Sequence, residues 1–166
     1  MSGQTIRAAS ADDAQALAYV VLKMLSETEG SEGVERDKVA ERLKEDGPGG
    51  KGLFDCLIGF HRARPSGLLM YSHTYDPYSL SAGAQVQTIY VTEAAGADGL
   101  AEDLVNGLFH IAAKQKWSHI DWPVDRTDSD AVAFFKDEVG ATCGHYGFRV
   151  SRKNIENWIR SGRAAA

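Results

Sequence analysis

The stretch that most constrains the fold runs from Val86 to Ala113. It opens with VQTIYV, where Val86, Thr88, Ile89, Tyr90 and Val91 supply the β-branched and aromatic content of a strand. Small residues and glycine follow in TEAAGADG, a composition that predicts a turn. The remainder, LAEDLVNGLFHIAA, sets Leu100, Leu104, Leu108 and Ile111 on one helical stripe, with Val105 and Ala112 beside it. A strand that enters a helix through a glycine-containing loop leaves backbone N–H groups without partners at the helix start. Such donors hold an anion, typically a phosphate. The stretch also reads as a plain strand–loop–helix unit with no ligand.

The flanking segments extend this unit into a layered fold. Thr5 to Ala8 is a short strand. Ser10 with Asp13 forms a variant capping box ahead of a helix that carries Leu17, Val21, Met24 and Leu25 on one face. The acidic segment from Glu27 to Glu35, broken by Gly30 and Gly33, is a loop. A second helix covers 36–45 with Val39 and Leu43 inward, and GPGGKG ends it. Leu53 to Phe60 and Leu68 to Tyr75 pair as an antiparallel hairpin around a turn centred on Pro65 and Gly67, and Pro77 to Gly83 is a loop. Beyond the central helix, Ile120, Trp122 and Val124 form a strand beside the central one if the crossover is right-handed. Pro123 marks where it diverges, because proline donates nothing to a ladder. Asp128 or Ser129 caps a helix with Ala131, Val132, Phe134, Phe135 and Val139 on its apolar face, stopped by Gly140. Tyr146, Phe148 and Val150 make a last strand, and Asn154 to Arg163 a terminal turn of helix. The expected class is α/β: a mixed, mostly antiparallel central sheet flanked by helices, with strands 4 and 5 parallel, in a single domain spanning 1–166.

Composition bears on partners. The 166 residues carry a formal net charge of -5 and no basic tract, which argues against nucleic acid. No apolar run is long enough to span a membrane, and MSGQTIRAAS lacks the apolar core of a signal peptide, so a cytoplasmic protein is expected. Cys56, in FDCLIGF, reads as a small buried residue, and Cys143 follows a turn. Neither belongs to a metal or redox motif. The five histidines show no metal-ligand spacing, so no metal is expected. His73, in a strand near the expected cleft, and Glu93, just past the central strand, are the side chains outside the loop best suited to proton transfer.

Three stretches resemble the GCN5-related N-acetyltransferase (GNAT) superfamily, and within it the diamine (spermidine/spermine) acetyltransferases. They are GLLMYSHTYDPYSLSAGAQVQTIYV at 67–91, GADGLAEDLVNGL at 96–108 and WPVDRTDSDAVAFFKDEVGA at 122–141. The resemblance implies that strands 4 and 5 splay and that acetyl-CoA lies in the gap as co-substrate. Its pantetheine arm would run beside Ile89 and Val91. Its pyrophosphate would sit on the loop at Gly96, Ala97, Gly99, Leu100 and Ala101. Asp128 stands at the family's capping asparagine, and Phe134 at its phenylalanine.

The implied activity is acetyl transfer to the primary amine of a small molecule, by a chain that pairs as a homodimer. The aromatic segment HYGFRV at 145–150 would lie at that interface. The sequence departs from the family pattern in the positions that do the chemistry. Gly96 replaces the loop's Arg or Gln, and Asp98 puts a negative charge inside the loop. Phe135 replaces the tyrosine that acts as general acid, and Gln87 and Thr88 replace a Glu-Asp pair. Tyr71, Tyr75, Tyr78 and Tyr146 are the hydroxyls available instead, and no catalytic residue is assigned. The alternative is an inactive protein of this fold that binds acyl-CoA as a sensor or acts as an interaction module.

Overall fold

The computed structural model describes residues 3–27, 33–143, 152–154 and 156. The chain divides into two compact units, Met1–Pro123 and Val124–Ala166. The first unit holds a five-stranded sheet in the order β1 (Gln4–Ala8), β2 (Asp55–His61), β3 (Arg64–Asp76), β4 (Ser81–Val91), β5 (His119–Asp121). The first four strands are antiparallel neighbours, and β5 runs parallel to β4. Helices α1 (Ala14–Ser26) and α2 (Arg36–Asp46) cover one face. On the other lies α4 (Leu100–Gln115), reached through a short α3 (Glu93–Ala97). The expected class therefore holds: a mixed α/β sheet with parallel strands 4 and 5.

Alternation along the strands sorts the core into two layers. Leu57, Leu69, Tyr71, Ala84 and Val86 point to α4 and meet Leu100, Leu104 and Leu108. Cys56, Ile58 and Leu68 point to α1 and meet Leu17 and Val20. Burial pushes the Cys56 thiol up to about 12, so it is an inert core residue. Among the described residues no helix is long and apolar enough to cross a membrane.

The boundaries differ from the sequence reading in three informative places. The β2–β3 turn is centred on Arg62 and Ala63, not on Pro65 and Gly67; both have positive φ (50° and 61°), the backbone of a two-residue hairpin turn. β4 begins at Ser81, because Ser81 to Gly83 pair with Asp76 to Thr74 of β3, a ladder that small residues do not announce. The segment expected as a turn after β4 contains the single-turn helix α3, whose start is set by Thr92 accepting from the N–H groups of Ala95 and Gly96.

The second unit contains α5 (Ser129–Ala133), capped by Asp128, whose Oδ1 accepts from the Ala131 N–H at 3.0 Å. A π-helical turn at Phe134–Glu138 follows, where the expected helix was a single continuous one. Phe134 and Phe135 meet edge to face, with ring centroids 5.3 Å apart. The expected last strand at Tyr146 to Val150, with the aromatic segment 145–150, lies outside the described residues. So does most of the terminal helix, of which Arg152 to Asn154 and Glu156 are helical.

Candidate active site

Strands β4 and β5 pair only at Gly83↔His119, Ala84↔Ile120 and Gln85↔Asp121. β4 runs on for six more residues, to Val91. Among the described residues, Val86 to Val91 have no strand partner on that side. β5 stops two residues before Pro123, which has no N–H to continue the ladder. The parallel pair is thus closed at one end and open at the other.

A β-bulge marks the changeover. Met70 pairs with Thr88 and Tyr71 with Val86, so Gln87 is the extra residue on β4. The bulge shifts the alternation by one. Val86 and Ile89, three apart, both face α4, while Tyr90 faces α1. The side chains of Ile89 and Val91 are packed toward the α4 core, so these two residues offer the open edge their backbone groups. Gln87 is exposed, and its amide donates to Ser72 Oγ at 3.3 Å.

At the end of the open half stands the start of α4. Gly99 is its N-cap, with φ 88°, a backbone that glycine adopts without strain, and no side chain caps this end. Leu100 anchors the first turn. It sits on a cross-strand glycine pair, Gly59↔Gly67, where a Cβ would come within 3.0 Å of its side chain at either position. The two glycines let α4 approach the sheet at this end.

The loop amides divide into two groups. The Gly96 N–H is used by Thr92 O at 2.8 Å and the Gly99 N–H by Gly96 O at 3.0 Å, while Asp103 N–H reaches Gly99 O at 3.1 Å. The first-turn amides of Leu100, Ala101 and Glu102 are left as the donors of the helix start. Ala97 is exposed and Ala101 half-buried. The amides of the expected 96–101 cradle that are not used within the loop therefore lie in its second half.

Three acidic residues flank this helix start in the sequence. Glu102 and Asp103 lie in the first turn. Glu102 folds back, its Oε2 3.4 Å from where a Cβ on Gly99 would be. Asp98 pairs with His61 Nε2 at 2.8 Å. Sequence reasoning missed His61 altogether, since it lies 37 residues away in an unremarked β2 terminus.

On the α1 side of the open half, the Tyr90 hydroxyl donates to Glu27 Oε1 at 2.5 Å. Burial and the Glu27 carboxylate push Tyr90 up to about 12, so the hydroxyl keeps its proton at neutral pH. Thr88 Oγ1 contacts Met24 Sδ at 3.7 Å. The end of α1 thus covers both β4 side chains that face it. Neither Glu27 nor Tyr90 was singled out from sequence, because the contact joins residues 63 apart.

The remaining candidates sit elsewhere. His73 is paired with Ala84, level with the closed half, not the open one. There its Nε2 meets Asp55 Oδ2 at 2.9 Å and its ring meets Trp117. Glu93 is exposed in α3. Tyr71 is buried, and burial and Asp55 push its hydroxyl up to about 12. Tyr75 and Tyr78 are exposed, and Tyr146 lies outside the described residues. Asp128 and Phe134 belong to the second unit.

No family model matches the chain, and no curated protein matches it in sequence. Solved structures do. An integron cassette protein from the mobile metagenome of V. cholerae superposes with a TM-score of 0.83 at 15% identity, over 96% of this chain and 99% of that one. A ribosomal-protein-alanine N-acetyltransferase from Brucella melitensis gives 0.70 at 20% identity, over 90% and 98%. An aminoglycoside acetyltransferase from an uncultured soil metagenomic sample, solved with sisomicin, gives 0.67 at 12% identity, over 90% and 97%. At these identities the likeness is one of fold: the chain has the fold of GNAT-type acetyltransferases.

Proposed function

We propose that this protein is an N-acetyltransferase that moves an acetyl group from acetyl-CoA to the primary amine of a small molecule, acting as a cytoplasmic homodimer. The carrying observation is the edge of β4 from Val86 to Val91, which among the described residues has no strand partner on the β5 side, followed through α3 by the first turn of α4, which no side chain caps. Acetyltransferases among the structural neighbours support the same reading.

In this reading the strand amides of the open half hold the thioester arm, and the amides of Leu100, Ala101 and Glu102 hold the pyrophosphate. The neutral amine forms a bond to the thioester carbonyl carbon as the carbon–sulfur bond breaks. The nitrogen gives up a proton and the sulfur takes one. Holding the two reactants together supplies most of the acceleration. Phe135 has no hydroxyl to protonate sulfur. On the α1 side, Glu27 offers a carboxylate to an incoming ammonium group and Tyr90 a protonated hydroxyl.

The test is isothermal titration of the folded protein with acetyl-CoA, followed by a panel of primary amines scored by thiol release. Saturable binding, amine-dependent release and loss of binding in Gly99→Trp are expected. Binding without turnover on any amine would replace the enzyme with an acyl-CoA sensor. A folded protein that binds neither acetyl-CoA nor CoA would overturn the reading.

A further inference from the structure

The loop between α3 and α4 is held by two side chains, one from β1 and one from β2. Gln4 on β1 and His61 on β2 are register partners. The Gln4 side-chain amide donates to Asp98 O at 3.0 Å and to Ala95 O at 3.4 Å. His61 Nε2 meets Asp98 Oδ2 at 2.8 Å, and the His61 side chain is only 13% exposed. The sheet order puts β2 two strands from β4, so this contact draws the Asp98 carboxylate toward β2 and not toward the Val86–Val91 edge of β4.

We propose that His61 and Gln4 are positioning residues of the acyl-CoA site: Gln4 fixes the backbone of 95–98, and His61 holds the Asp98 carboxylate behind the loop, clear of the phosphate-binding amides. This rests on the acyl-CoA reading above. It answers a difficulty in the sequence. Gly96 brings no side chain to brace the loop, and Asp98 carries a charge that repels a pyrophosphate. Bracing from β1 and β2 supplies the first need, and tethering the carboxylate meets the second. Glu102 has no such tether to His61 or Gln4; its carboxylate lies near Gly99.

The charge account separates from a merely structural one by reversal. Acetyl-CoA affinity is measured by titration calorimetry for the full chain and for His61→Ala, His61→Gln, Asp98→Asn and the double variant His61→Ala/Asp98→Asn. Circular dichroism checks that each is folded. His61→Ala weakens binding by about fivefold to tenfold, the scale of one unscreened carboxylate near a phosphate group. His61→Gln, which keeps a donor for Asp98, retains most of the affinity. The double variant returns to the affinity of Asp98→Asn alone, because the freed charge is gone.

Unchanged affinity in His61→Ala would overturn the proposal. So would a double variant as weak as His61→Ala, which would make His61 a packing residue only. Absence of acetyl-CoA binding by the unmodified chain would bring down the acyl-CoA reading itself, and this proposal with it.

Discussion

The two halves of β4 are built differently. From Gly83 to Gln85 the strand is enclosed, with β3 on one side and β5 on the other. The His119 ring lies over Gly83, where a Cβ would come within 2.4 Å of it. Ser118 Oγ meets His119 Nδ1 at 2.8 Å, and Thr74 Oγ1 meets Nε2 at 3.2 Å, so the ring is fixed from both sides. From Val86 to Val91 the same strand keeps β3, while among the described residues it has no neighbour in place of β5. Apart from the exposed Gln87 at the bulge, its side chains pack against α4 on one face or the end of α1 on the other. What the open half leaves free is backbone. A binding edge made by withdrawing a strand, as proposed for this half, depends little on which side chains stand nearby.

The contrast can be broken at its anchor points. The largest effect is expected at Leu100, the residue that seats α4 on Gly59 and Gly67. Leu100→Ala should lose about 2–5 kcal/mol in denaturant unfolding and should abolish acetyl-CoA binding before it abolishes the fold.

Next is Asp13, which holds α1 to β1 through a two-pronged pair with Arg7, at 2.6 and 2.7 Å, and accepts from the Ser10 N–H. The Arg7 guanidinium holds the Asp13 carboxyl well below the usual carboxylate range. A depressed folded value means that the carboxylate stabilises the fold above its unfolded pKa of about 4, and that this contribution drains away as pH falls below it. Asp13→Asn should therefore cost about 1.5–3 kcal/mol at neutral pH, with the gap to the unmodified chain narrowing in acid. A pH series of thermal melts reads both.

Gly83→Val tests the closed half. It should displace the His119 ring, cost about 1–3 kcal/mol, and speed amide exchange at Ala84 and Ile120 while leaving Val86 to Val91 unchanged. The smallest effect belongs to Tyr90→Phe, which removes the bond to Glu27 at a cost of about 0.5–1.5 kcal/mol. If this pair meets the amine, Tyr90→Phe raises the amine KM and leaves acetyl-CoA affinity unchanged.

Much of this was legible in the sequence because it rests on periodic or positional signals. The β-branched run to Val91, the leucine stripe of α4 and the glycine at 99 mark the strand, the helix and its start, whereas the strand expected through Trp122 and Val124 ends at Asp121, two residues before the proline that cannot donate to a ladder. The hairpin turn was misplaced because Arg62 and Ala63 carry no turn signature, and only the register of β2 on β3 imposes positive φ on them. The small residues Ser81 to Gly83 became strand through ladder pairing alone. The bulge at Gln87 was invisible, since an inserted residue looks like any other until both strands are seen. The contacts His61–Asp98, Gln4–Asp98 and Tyr90–Glu27 join residues 37, 94 and 63 apart. No local pattern encodes such pairs, so the supports of the site were beyond sequence reasoning even where its backbone was not.

The most direct test of the central claim is a titration of the isotopically labelled protein with acetyl-CoA, followed by amide NMR. The account predicts saturable shifts at Ile89, Val91, Leu100 and Ala101, with Gly83 to Gln85 unmoved. Shifts confined to the closed half, or none anywhere in a folded protein, would contradict it.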